Sequence, residues 1–175
     1  KWLPYAVAVA AFFVLALGYF SPVLEGKQLK QHDIMQYKGM AQEMAEHREA
    51  FDGDEPLWAG SMFSGMPAYQ IGVLWPANAL NWVGAAMHGF LPRPASFIFL
   101  YLVGMFILLS CLRVEPWLAL VGAVAFALSS YFLIIIHAGH NSKATAVGYM
   151  PMVLGGLYVL LRGRKLLGAA LFALF

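Results

Sequence analysis

Asp33, with His32 before it, stands close behind a long apolar run that ends at Phe20. A carboxylate held at the mouth of a membrane bundle can act as general base or metal ligand for a substrate arriving from the lipid. At a helix start the same Asp can instead cap backbone amides, a purely structural duty. Asp52, Asp54 and Glu55 form a second acidic group. Their oxygens suit a divalent cation, the one cofactor this sequence suggests. Asp52 and Asp54 flanking Gly53 also read as turn formers, so Glu55, directly before Pro56-Leu57-Trp58, is the stronger candidate. The third group is His137-x-x-His140-Asn141-x-Lys143. Lys143 near a helix amino terminus would set a cation and the helix's positive end against a lipid-linked phosphate. Two histidines three apart can share a metal on one helix face, yet the four ligands of a structural zinc site are not assembled nearby, and no metal is assigned. Arg93, between Pro92 and Pro94, is a further phosphate contact or a plain helix-end anchor. Trp58 and Tyr69 can stack on a sugar face, and both types also collect at membrane interfaces.

The elements that must position these residues are apolar. With 61% hydrophobic and 11% charged residues and a mean hydropathy of +0.69, the chain reads as an integral membrane protein. Residues 3–20, 95–112, 117–136 and 144–161 are expected to cross a hydrocarbon layer of roughly 30 Å, and a further span starts at 166. The first run follows Lys1 as a signal peptide would, but it lacks a small-x-small cleavage site and is longer than the usual apolar region of a signal. Beginning with Lys1 and ending inside an apolar run, the chain is expected to be an amino-terminal fragment of a longer protein. Glycines and a proline within the spans, Gly104, Gly122, Pro151, Gly155 and Gly156, permit close helix contacts.

Lys1, Arg113 and the Arg162 to Lys165 cluster fall on one side if the four spans alternate, which makes that side the cytoplasm. The segment 21–93, holding eight of the nine carboxylates, then faces outward together with 137–143. Inside it, residues 33–51 carry apolar side chains at spacings of three and four and predict a helix along the membrane surface. Glu25, Glu43, Glu46 and Glu49 read as solvated. Residues 61–70 have neither helical nor strand period and are expected to form a fixed loop packed on the bundle. Residues 71–91 are expected to form an interfacial or re-entrant helix with Trp75 and Trp82 as anchors.

Several stretches carry a resemblance: Ser21-Pro22-Val23-Leu24-Glu25-Gly26-Lys27, Gln31-His32-Asp33-Ile34, Tyr37-Lys38-Gly39-Met40, Glu55-Pro56-Leu57-Trp58 and Met62-Phe63-Ser64-Gly65-Met66-Pro67-Ala68-Tyr69-Gln70. With His137-Ala138-Gly139-His140-Asn141-Ser142-Lys143 as a second outward loop, the chain resembles the YfhO-like family of bacterial multi-spanning membrane proteins. The resemblance implies an all-α transmembrane bundle of GT-C glycosyltransferase type. It also implies that an acidic residue of the first outward loop activates an acceptor while a polyprenyl-phosphate-linked sugar is the donor. An inverting sugar transfer needs a base as the phosphate departs, and Asp33 is the residue expected to serve, with His32 beside it and Glu55 as a second acid.

Missing signals narrow the alternatives. The sequence has no Gly-rich phosphate loop, no CxxC and no GxSxG, and Cys111 has no partner cysteine. Its basic clusters are too small for nucleic acid. The expected spans contain no Asp, Glu, Lys or Arg, whereas transporters and proton pumps usually carry an ionisable group at mid-membrane. The expected function is transfer of a sugar to an envelope glycan or lipid acceptor on the extracytoplasmic face of a bacterial inner membrane. The alternative is a flippase, or a scaffold for lipid-linked precursors, that performs no chemistry.

Overall fold

The computed structural model describes residues 2–72, 78 and 80–175, and the chain is mostly helical. Five stretches form the helical body: α1 (Leu3–Tyr19), and then, past the polar segment, α6 (Ala95–Cys111), α7 (Pro116–Ala127) with α8 (Ser130–Ala138), α9 (Asn141–Leu161) and α10 (Lys165–Leu174). The polar segment between them holds a 3-10 turn (Ser21–Glu25), α2 (His32–Met40), α3 (Gln42–Ala50), a two-residue strand pair β1 (Trp58–Ala59) and β2 (Met66–Pro67), α4 (Tyr69–Gly72) and α5 (Leu80–Met87).

By length and composition, α9 with 21 residues is the one described helix long and apolar enough to cross a membrane. The apolar helices α1 and α6, with 17 residues each, rise about 26 Å. The span expected over 117–136 is corrected: α7 and α8 are separate helices bent by 47°, and count as a second crossing only if taken together. The cause is local. Ser129 adopts an extended backbone (φ −59°, ψ 132°) and donates its N–H to the Phe126 carbonyl, so the helical ladder ends at the Ser129-Ser130 pair. Serine pairs are among the usual sites of sharp helix bends.

The body is held by small residues. Helix α6 is central, with Ala95 through Leu102 all buried, and α1 presents Ala8, Phe12 and Ala16 to the core while α7 presents Ala119, Ala123 and Ala127. Four-residue spacing puts each set on one helix face, where short side chains let backbones approach. Gly104 of α6 faces the Gly148 carbonyl of α9 so closely that a methyl group would overlap it, and Gly168 of α10 does the same against the Leu160 backbone. Gly156 meets the Phe172 amide. On the outside, Val14, Leu118, Val121, Ile134, Met150 and Leu154 are exposed.

The polar segment has its own small core, which corrects the expectation of a loop packed on the bundle. Met44 of α3 is fully buried against Ala41, Ala59, Ala68 and Ile71. The helix expected over 33–51 is likewise two helices, because the chain leaves helical geometry at Ala41 (ψ 0°). That break turns Met44 toward the hairpin. Glu43, expected to be merely solvated, clips the hairpin shut: it accepts from the Gly60 and Ser61 amides at 2.8 and 2.9 Å and from the Ser61 hydroxyl at 2.6 Å. These donors, the Ser61 hydroxyl foremost, hold its carboxyl below the usual carboxylate range. The hairpin tip runs through Phe63, Ser64 and Gly65, all at positive φ, and the Trp58 ring lies flush on Gly65, where a Cβ would come within 2.6 Å of it. Of the helix expected over 71–91, the described residues show the end of α4 and then α5, which stops at Met87, with the Asn78 side chain accepting from the Leu80 amide. Trp75 lies outside the described residues.

Candidate functional site

Helices α6 and α9 start at the same end of the body, and α2 lies across that end. What fastens it there is the turn between α8 and α9. Gly139 caps α8 at φ +101°, a conformation that suits glycine, and it is in near contact with the backbone amide of Ile34 and the side chains of Gln31 and Ile34. Gln31 completes the joint. Its Nε2 donates to the Ile136 carbonyl at 2.5 Å and to Asn141 Oδ1 at 3.0 Å, while Asn141 Nδ2 donates back to Gln31 Oε1 at 3.3 Å. One amide side chain therefore ties the α2 start to the end of α8 and the start of α9 across more than a hundred residues of sequence.

Asp33 sits in the first turn of α2, as the second helical residue. The cap position is Gln31, which makes no side-chain cap bond, so the capping role weighed for Asp33 is corrected. The Asp33 carboxylate instead faces His140, with Oδ2 and Nδ1 3.2 Å apart and both side chains about half exposed. Asp33, His140, Asn141, Lys143 and Arg93 line one cleft of about 680 Å³, with Tyr37 and Ile71 on its walls. Lys143 lies in the first turn of α9, its ammonium 5.1 Å from the centre of the Tyr131 ring. Arg93 lies over Phe97, with its guanidinium carbon 5.6 Å from the ring centre. Arg93 also borders two neighbouring hollows. One, of about 730 Å³, carries Lys27, Lys30 and Lys38; the other, of about 340 Å³, holds His88. Desolvation, and then the Arg93 charge, lower the His88 pKa.

The remaining predicted residues lie elsewhere. Glu55 pairs with Arg48 at 2.9 Å, and Arg48 also donates to the Gly72 carbonyl at 3.3 Å. This partly buried bridge braces α3 against α4, and Glu55 is not among the residues lining the Asp33 cleft. Asp52 at φ 52° and Gly53 at φ 88° form the expected turn, and Asp54 approaches His47 at 3.8 Å. His32 opens α2 on an exposed face outside the cleft lining. Trp58 is engaged with Gly65 of its own hairpin, and Tyr69 is 68% exposed on α4. The two histidines part: His140 turns to Asp33, while His137 borders an apolar hollow with Tyr19 and Leu133. Among the described residues no group of three or more His, Cys, Asp or Glu side chains is disposed to hold a metal ion.

Gln31 and Gly139 were legible only as members of motifs; their roles depend on each other. Tyr37 was legible only as a member of a motif and by its place on the apolar face of the predicted helix.

Fold and site together define a mostly helical protein with one helix long enough to cross a membrane and a polar cleft, cationic on two sides, at one end of its helical body. No family model matches the chain, and no curated protein and no solved structure matches it either.

Proposed function

We propose that this chain is a multi-span membrane glycosyltransferase of GT-C type, YfhO-like, acting on the extracytoplasmic face of a bacterial inner membrane. The observation that carries the reading is the meeting of Asp33, His140, Lys143 and Arg93 around one cleft. A carboxylate faces cations across a space large enough for a sugar and a phosphate. Supporting it are the exposed apolar side chains around the helical body and the confinement of most carboxylates to one segment.

In this reading the acceptor hydroxyl oxygen attacks the anomeric carbon of a polyprenyl-phosphate-linked sugar. The bond from that carbon to the phosphate oxygen breaks, and its electron pair leaves with the phosphate. The hydroxyl proton passes to the Asp33 carboxylate, whose orientation is fixed by His140. Lys143, aided by the positive end of α9, and Arg93 stabilise the charge gathering on the phosphate.

The test is transfer of labelled sugar by the full-length protein. Asp33→Asn should abolish transfer while expression and thermal unfolding stay unchanged, and Lys143→Gln should weaken use of the donor. Undiminished transfer by Asp33→Asn would overturn the assignment.

A further inference from the structure

A cavity of about 910 Å³ lies at the end of the helical body opposite the Asp33 cleft. Three arginines from two turns of the chain border it: Arg113 after α6, and Arg162 and Arg164 in the short connection between α9 and α10. Apolar side chains, Phe106, Leu167 and Leu171 among them, form part of its wall. No carboxylate lines it, and none of the three arginines takes part in an ion pair among the described residues. The nearest acid in sequence, Glu115, is occupied in capping α7, where it accepts from the Trp117 and Leu118 amides. The carboxyl ends of α6 and α9 contribute only partial negative charges, roughly half a unit each, against three full cations.

Backbone geometry adds an independent sign. Helices α6 and α9 end in the same way: the residue after the cap turns to positive φ and the next amide reaches back five residues, Val114 to Leu109 and Arg164 to Val159. In α9 the left-handed residue is Gly163, the type that fits. In α6 it is Arg113, at φ +62°. A long β-substituted residue held there is strained, and local strain of this kind gathers at functional positions.

We infer that this cavity is a binding site for an anionic glycerophospholipid, whose headgroup phosphate is held by Arg113, Arg162 and Arg164 and whose acyl chains follow the apolar wall. Guanidinium forks match phosphate oxygens two at a time, and basic pockets between helix ends are where anionic lipid headgroups are recognised. The inference rests on the membrane part of the proposed function and not on sugar transfer.

The experiment uses the full-length protein. Flotation with phosphatidylcholine vesicles tests membrane association by itself; protein that fails to float overturns the membrane reading and this site with it. Binding of short-chain phosphatidylglycerol, followed by the shift in thermal midpoint, is then compared with phosphatidylcholine of the same chain length and with inorganic phosphate. Phosphatidylglycerol should bind at least tenfold more tightly than either. Arg113→Gly should weaken that binding about tenfold, the worth of one charge-assisted contact, while the lipid-free protein is at least as heat-stable as the parent, because glycine suits the backbone there. The pair Arg162→Gln and Arg164→Gln, which leaves the strained turn untouched, should weaken binding further. Equal binding of the two lipids, equal binding of inorganic phosphate, or unaltered binding by both variants would overturn the site.

Discussion

Gly139→Ala tests the joint on which the cleft depends. The new methyl group would sit 3.1 Å from Gln31 Cβ and 3.2 Å from both Ile34 Cγ1 and the Ile34 backbone nitrogen. An alanine at φ +101° carries backbone strain of about 1–2 kcal/mol. The contacts add a packing cost of about 1–3 kcal/mol, because one of the atoms met is backbone and cannot swing aside. Gly163→Ala is the control: the same class of backbone at φ +87°, with nothing within 4 Å of the new methyl. It should show the strain alone. The difference between the two variants, about 1–3 kcal/mol, isolates the docking of α2 on the α8–α9 turn and corresponds to about a five- to 150-fold greater population of the undocked state. Limited proteolysis of the 21–93 segment reads that population directly, with chemical unfolding of the helical body as the reference. Cleavage should accelerate in Gly139→Ala far beyond Gly163→Ala, and sugar transfer should fall with it. Equal cleavage rates in the two variants would refute the joint.

Three further outcomes follow from the same geometry. Gln31→Ala removes the bonds to the Ile136 carbonyl and Asn141 and should loosen the docked segment by about 1–2 kcal/mol, visible as faster amide exchange in α2. Glu43 has its folded pKa depressed, so the stability it contributes is present above the ordinary carboxylate range and is lost as pH falls through the lowered value. Trp58 fluorescence should therefore change in acid as the 58–67 hairpin opens, and Glu43→Gln should remove that acid step; persistence of the step would assign it to another group. Glu55→Gln weakens the Arg48 bridge and should lower thermal stability by about 1 kcal/mol while sugar transfer persists, in contrast to Asp33→Asn. Loss of transfer at unchanged stability would return Glu55 to the chemistry.

The residues that line one cleft, Asp33 with Lys143, His140, Asn141 and Arg93, were singled out in the sequence by residue type plus position beside apolar runs. Such residues come together where the ends of helices gather, since 93–95 and 141–143 both open helices at the same end. Glu55 looked comparable because it too is an acid in a motif. Which acid reaches the cleft depends on where Arg48 stands, and a salt-bridge partner seven residues away has no periodic signature.

The sequence by itself determined the helical class, the start of each long apolar helix to within a few residues, and the gathering of eight of the nine carboxylates between residues 21 and 93. Those features follow from local hydropathy and helix period, which neighbouring residues carry among themselves. Tertiary structure alone decided that 117–136 breaks at Ser129, that α2 and α3 part at Ala41 to bury Met44, and that Gln31 and Gly139 lock the Asp33 turn against the start of α9. Each of these depends on an atom from a distant part of the chain arriving within contact distance, and no pattern along the chain encodes that meeting.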